Sequence, residues 1–151
     1  MDLRVDDLTS DQVRALLAEH LDDMRATSPP GSVHALDVTG LTHPTVTVWT
    51  LWDEQVVLGC AALKELTPVH GELKSMRTAT AARGRGVATR LLRHVISQAR
   101  GRGYRRLSLE TGSQEFFAPA RRLYLRHGFV GCSPFGDYLP DPHSAFLTLT
   151  L

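Results

Sequence analysis

Hydrophobic positions follow two periods along this chain. After a short strand-like start over residues 1–7, Ser10 precedes a run in which Val13, Leu16, Leu17 and Leu21 share one face, which predicts a helix capped by Ser10. Pro29 and Pro30 forbid regular hydrogen bonding within residues 27–40, so this stretch reads as a loop or lid. Residues 45–52 and 55–66 are β-branched, aromatic and aliphatic around an Asp53–Glu54 turn, the pattern of a β-hairpin. Residues 71–78 alternate as a third strand, with Glu72, Lys74, Met76 and Thr78 on one side and Leu73, Ser75 and Arg77 on the other. The strongest periodicity spans 87–100, where Val87, Leu91, Leu92, Val95, Ile96 and Ala99 form a helical stripe that Gly101 and Gly103 terminate. A strand at 106–110, a helix at 119–127 opened by Pro119 and stopped by Gly128, and strands at 129–132 and 145–151 complete the chain. This order predicts an α/β (α+β) fold: one domain over 1–151 with a mixed, mostly antiparallel central sheet of six to seven strands and flanking helices.

Composition narrows the class. With 151 residues, 42% apolar and 22% charged, the chain can bury a sizeable core, and its net charge of +1 argues against a polycation that coats nucleic acid or a membrane. No apolar run reaches the length of a membrane span, and the acidic start (Asp2, Asp6, Asp7) is not a signal peptide. Cys60 and Cys132 sit in apolar, strand-like contexts, which predicts two buried thiols in a reduced, cytoplasmic protein and no metal site.

Charge is uneven. Between Lys74 and Arg106 stand ten Lys and Arg residues and no carboxylate, an anion well set against an acidic remainder. Within it, Arg83-Gly84-Arg85-Gly86-Val87-Ala88-Thr89 lies between a strand and the strongest helix. Two glycines let backbone N–H groups converge, the helix adds its positive end, and Arg83 and Arg85 add charge, so the segment is a candidate pyrophosphate site. It is not a Walker loop, which needs a lysine before the Ser/Thr, and the antiparallel meander before it does not suit a dinucleotide-binding unit.

Arg83-x-x-Gly86-x-Ala88 at that position resembles the acyl-CoA signature of the GNAT (GCN5-related) N-acetyltransferases. Ala120-Arg121-Arg122-Leu123-Tyr124, continuing to Gly128-Phe129, is similar to a second block of that family, in the right order and separation. The Gly-Glu-Leu-Lys strand, Glu110-Thr111-Gly112 and the loop 134–141 resemble a bacterial YsnE-like subgroup. The resemblance implies transfer of an acetyl group from acetyl-CoA to a primary amine of a small molecule, in a ternary complex and without a covalent acyl-enzyme. By position, backbone at Met76, Arg77 and Thr78 would pair with the pantetheine arm, and the amides from Arg83 to Thr89 would hold the pyrophosphate. Tyr124 would protonate the departing thiolate. A frequent family asparagine is replaced here by Phe117, which leaves its hydrogen bond to a neighbour such as Ser113 or Gln114.

The amine also needs a proton acceptor. Glu72 is the first candidate, Glu110 the second and His70 the third, while His34, His43 and His143 read as loop histidines. Asp137 and Asp141, walled by Phe135 and Tyr138, would hold a cationic acceptor. Acetyl-CoA is thus the expected co-substrate and a small-molecule amine the expected partner, with no nucleic acid, no membrane, and a homodimer left open. The competing readings are a protein or peptide N-terminal acetyltransferase and a non-catalytic acyl-CoA-binding module.

Overall fold

The computed structural model describes residues 1–151. Strand β1 (Asp2–Val5) leads to helix α1 (Asp11–Thr27), whose Ser10 cap accepts a hydrogen bond from the Val13 N–H at 3.2 Å. The expected loop then contains a 3-10 turn at Pro30–Ser32 and a short helix α2 (Val38–Leu41), begun where the Asp37 carboxylate accepts from the Gly40 N–H. Strands β2 (Val46–Asp53), β3 (Val56–Thr67) and β4 (His70–Thr78) form the meander. Helix α3 (Val87–Gly101), strand β5 (Arg106–Gly112), helix α4 (Ala118–Arg126) and strands β6 (Val130–Gly131) and β7 (Ser144–Thr150) follow.

The strands make one seven-stranded sheet in the order β1-β2-β3-β4-β5-β7-β6, antiparallel except between β4 and β5. Strand β7 inserts between β5 and β6, a non-sequential pairing that hydrophobic pattern does not reveal. The α3 stripe buries Leu91, Leu92, Val95 and Ala99 completely against one sheet face, together with Tyr124 and Phe129. On the other face Val13, Leu16 and Leu17 of α1 pack with Val48, Trp52 and Cys60. Cys132 is only half-buried, contrary to the expectation of two buried thiols.

Two features of β4 create the site. Its parallel ladder with β5 covers only three pairs and ends at Glu72↔Ser108, although the strands run on to Thr78 and Gly112. The sheet therefore opens in its middle. In addition, β4 carries a bulge: Cys60 faces Arg77 but Ala62 faces Lys74, and Ser75 adopts a positive φ of 53°. The extra residue shifts the alternation, which corrects the simple two-sided pattern expected over 71–78. Met76 packs with Leu73 against the α3 side, and the Arg77 side chain crosses to α1. Gly59 permits the close approach above it, since a side chain there would come within 2.7 Å of the Arg77 carbonyl oxygen and 2.8 Å of a Val87 methyl.

Candidate active site

A cavity of about 440 Å³ occupies the opening between β4 and β5 and reaches both sheet faces. Toward α3 and α4 its wall is Met76, Thr78, Arg83, Phe117, Ala120 and Tyr124. Toward α1 it is His20, Glu72, Lys74, Ser75, Arg77 and Glu110, roofed by the segment Ser32–Ala35. That roof is strapped down: Ser32 Oγ donates to Asp141 Oδ2 at 2.5 Å, and Lys74 Nζ donates to the His34 carbonyl at 3.3 Å.

The glycine turn has the form expected of an anion cradle. Gly84 and Gly86 have φ of +80° and +77°, conformations that favour glycine, and a Cβ at either would meet nothing within 4 Å. Gly86 caps α3 with no side-chain hydrogen bond, so the helix opens with free N–H groups at Val87, Ala88 and Thr89. The Val87 side chain itself is core. Arg83 lines the cavity, whereas exposed Arg85 is paired with Asp53 at 2.9 Å. These residues fit a CoA pyrophosphate, and the β4 edge left unpaired beyond Glu72 fits an extended pantetheine arm.

Tyr124, on α4, is buried in the cavity wall, and burial pushes its phenol well above the ordinary value. It stays protonated over the whole neutral range. Phe117, at the position where the resemblance implies a frequent asparagine, is buried and lines the cavity. Of its proposed substitutes, Ser113 donates to the Pro142 carbonyl at 2.6 Å, and Gln114 reaches Ser28 through Nε2 while its Oε1 has no partner.

On the α1 side the carboxylates differ. Glu72 is 3% exposed, and its Oε2 accepts from the Tyr138 hydroxyl at 2.5 Å and from Lys74 Nζ at 3.2 Å. Lys74 also donates to Tyr138 Oη at 2.9 Å, closing a three-residue network. Glu110 stands on β5 across the opening, and burial raises its pKa above the ordinary value, with Glu72 adding to the effect and Ser144, His34 and Lys74 opposing it.

Other expected site residues lie apart. Asp137 is exposed and does not line the cavity, because Tyr138 N–H closes a turn on the Phe135 carbonyl at 3.1 Å and leaves Asp137 at its tip. Asp141 serves the Ser32 strap. His70 is held by Ser108 Oγ at 2.7 Å, outside the lining, whereas His34 is a wall residue and packs edge-on against Tyr138. The pattern reading missed Lys74 as a site residue and missed His20 altogether. The signal for His20 was its position seven residues after Val13, on the buried stripe of α1.

Comparison with known proteins agrees with this geometry. A family profile described as "Acetyltransferase (GNAT) family" matches residues 11–129. The chain is 53% identical to "Uncharacterized N-acetyltransferase YedL" of Escherichia coli, covering 99% of this chain and 94% of that protein. It is 50% identical over all of both chains to "Uncharacterized N-acetyltransferase YsnE" of Bacillus subtilis. A GNAT family acetyltransferase from Elizabethkingia anophelis, solved with acetyl-CoA bound, superposes with a TM-score of 0.69 at 16% identity, covering 99% of this chain and 97% of that one.

Proposed function

From the premise that this chain belongs to the GNAT family and is an acetyltransferase acting with acetyl-CoA, we propose that its acceptor is a primary amine of a small molecule, acetylated directly in a ternary complex. The observation that carries this reading is the opening between β4 and β5, where one cavity runs from Arg83 of the glycine turn past the protonated Tyr124 to buried Glu72 and half-buried Glu110. Acetyl-CoA supplies the activated thioester. The Gly84 and Gly86 turn, the first amides of α3 and Arg83 hold its pyrophosphate, and backbone at Met76, Arg77 and Thr78 aligns its pantetheine arm. Arg85 can join only by exchanging its exposed pair with Asp53.

The roles of the carboxylates follow from their partners. Glu72 spends one oxygen on Lys74 and Tyr138, which fixes its direction. Glu110, with its raised proton affinity, is the better acceptor for the amine proton, so we assign Glu110 as base and Glu72 as the group that orients the acceptor. As the N–C bond forms and the C–S bond breaks, the amine proton passes to Glu110 and the Tyr124 proton passes to the thiolate sulfur. The roofed cavity, in the size range of small-molecule sites, supports a compact acceptor over a polypeptide. Thiol release from acetyl-CoA on addition of primary amines tests the proposal.

A further inference from the structure

Three buried side-chain polar atoms, from residues lining the α1 side of the cavity, have no hydrogen-bond partner: His20 Nδ1, Ser75 Oγ and Arg77 Nε. Their residues are 9%, 9% and 7% exposed, and all three line the cavity. Buried polar groups are nearly always satisfied, because an orphan costs its desolvation without return. The backbone strain at Ser75 (φ 53°) marks the same place. None of these side chains has a part in the proton transfers above.

The local charge selects the occupant. The two terminal nitrogens of Arg77 each donate at 2.5 Å, to Asp23 and Glu19, so the guanidinium is more than neutralised, and its buried Nε–H is left without a partner. Burial, reinforced by the Arg77 cation, pushes His20 down to about 4, so its ring is neutral at pH 7. A carboxylate or phosphate would add negative charge beside Glu19 and Asp23, where the local cation, Arg77, is already paired with both. A neutral oxygen would accept from Arg77 Nε, and a hydroxyl or carboxamide could also exchange hydrogen bonds with Ser75 and His20, each able to donate or accept.

We propose that His20, Ser75 and Arg77 form a specificity subsite for an uncharged hydroxyl or carboxamide on the acceptor amine. This rests on the small-amine reading above. A site built to bond such a group discriminates strongly against an analogue lacking it.

The test uses the full chain, acetyl-CoA and four amine series of matched chain length: amino alcohols, ω-amino amides, ω-amino acids and alkylamines. The best amino alcohol or amino amide should exceed the matched alkylamine and amino acid by roughly tenfold or more in kcat/KM. In Ser75→Ala and His20→Leu that advantage should shrink severalfold, while the KM for acetyl-CoA holds and thermal stability stays level or rises, since each change removes an orphaned group. Turnover with no such preference, a preference that survives both variants, or falling stability with unaltered preference overturns the subsite and leaves the small-amine reading standing. A raised KM for acetyl-CoA in both variants assigns the three groups to the cofactor's own amides and also overturns it. No turnover with any amine overturns both.

Discussion

The Tyr138 hydroxyl lies 2.5 Å from Glu72 Oε2 and joins two residues 66 positions apart, while Lys74 Nζ lies 3.2 Å from the same oxygen. This contact ties the loop before β7 to the last residue of β4 that pairs with β5, where the sheet opens. Burial and the Glu72 charge both push the Tyr138 phenol upward, which favours the protonated phenol that donates to Glu72.

Removing that donor should therefore cost both stability and catalysis. Tyr138→Phe leaves a buried carboxylate with one partner fewer, a loss of about 1–3 kcal/mol in chemical denaturation. The acceptor KM should rise while that of acetyl-CoA holds. A variant with wild-type stability and kinetics would show the contact to be incidental.

The glycine turn should govern cofactor binding. Gly86→Asp puts a side chain at a φ of 77° and a negative charge at the start of α3, so CoA affinity should fall at least about tenfold, near 1.4 kcal/mol. Calorimetry on the folded variant reads this directly, and unchanged affinity removes the turn from the pyrophosphate site.

Tyr124→Phe removes only the phenolic hydroxyl, and with it the proton donor. Turnover should drop roughly 10²-fold with acetyl-CoA affinity retained. Because burial raises the Tyr124 phenol, the wild-type rate should show no fall from its ionisation near pH 10, the ordinary tyrosine range. Equal rates in the variant would reduce Tyr124 to a packing residue.

Glu110 and Glu72 separate by pH. The wild-type acid limb should sit above the ordinary carboxylate range, as the raised Glu110 requires, and Glu110→Gln should abolish it with a roughly 10²- to 10⁴-fold loss of kcat. Glu72→Gln should keep the limb and mainly raise the acceptor KM. If the limb vanishes with Glu72→Gln instead, the two assignments exchange.

His20 predicts an acid-side instability. Its folded value near 4 lies below the ordinary 6.5, so the folded state disfavours the proton that the unfolded chain accepts. The contribution is complete above pH 6.5 and is lost as pH falls toward 4, by up to about 3 kcal/mol. Stability measured between pH 7 and 4 should decline less steeply in His20→Leu.

The sequence carried the helices and the meander well, because α1 and α3 have strong 3.6-residue stripes and β2 and β3 are dense in β-branched and apolar residues. The Arg83–Thr89 turn was legible for a similar reason, since its glycines and arginines are local. What pattern could not supply is non-local. The bulge at Ser75 reverses which face Met76 and Arg77 take, the insertion of β7 beside β5 depends on pairing across the fold, and the pairing of Glu72 with Tyr138 requires the 132–143 loop to return over β4. Asp137 looked equivalent to Tyr138 by proximity in sequence, and a single turn sends one to solvent and the other onto Glu72.

Direct transfer to a small amine through the opening between β4 and β5 can be read from initial velocities of thiol release with acetyl-CoA and amine varied together, followed by mass analysis of the products. A ternary complex should give intersecting reciprocal plots, an N-acetylated amine and an unmodified protein. Parallel plots with an acetylated enzyme, or no thiol release with any primary amine, would contradict it.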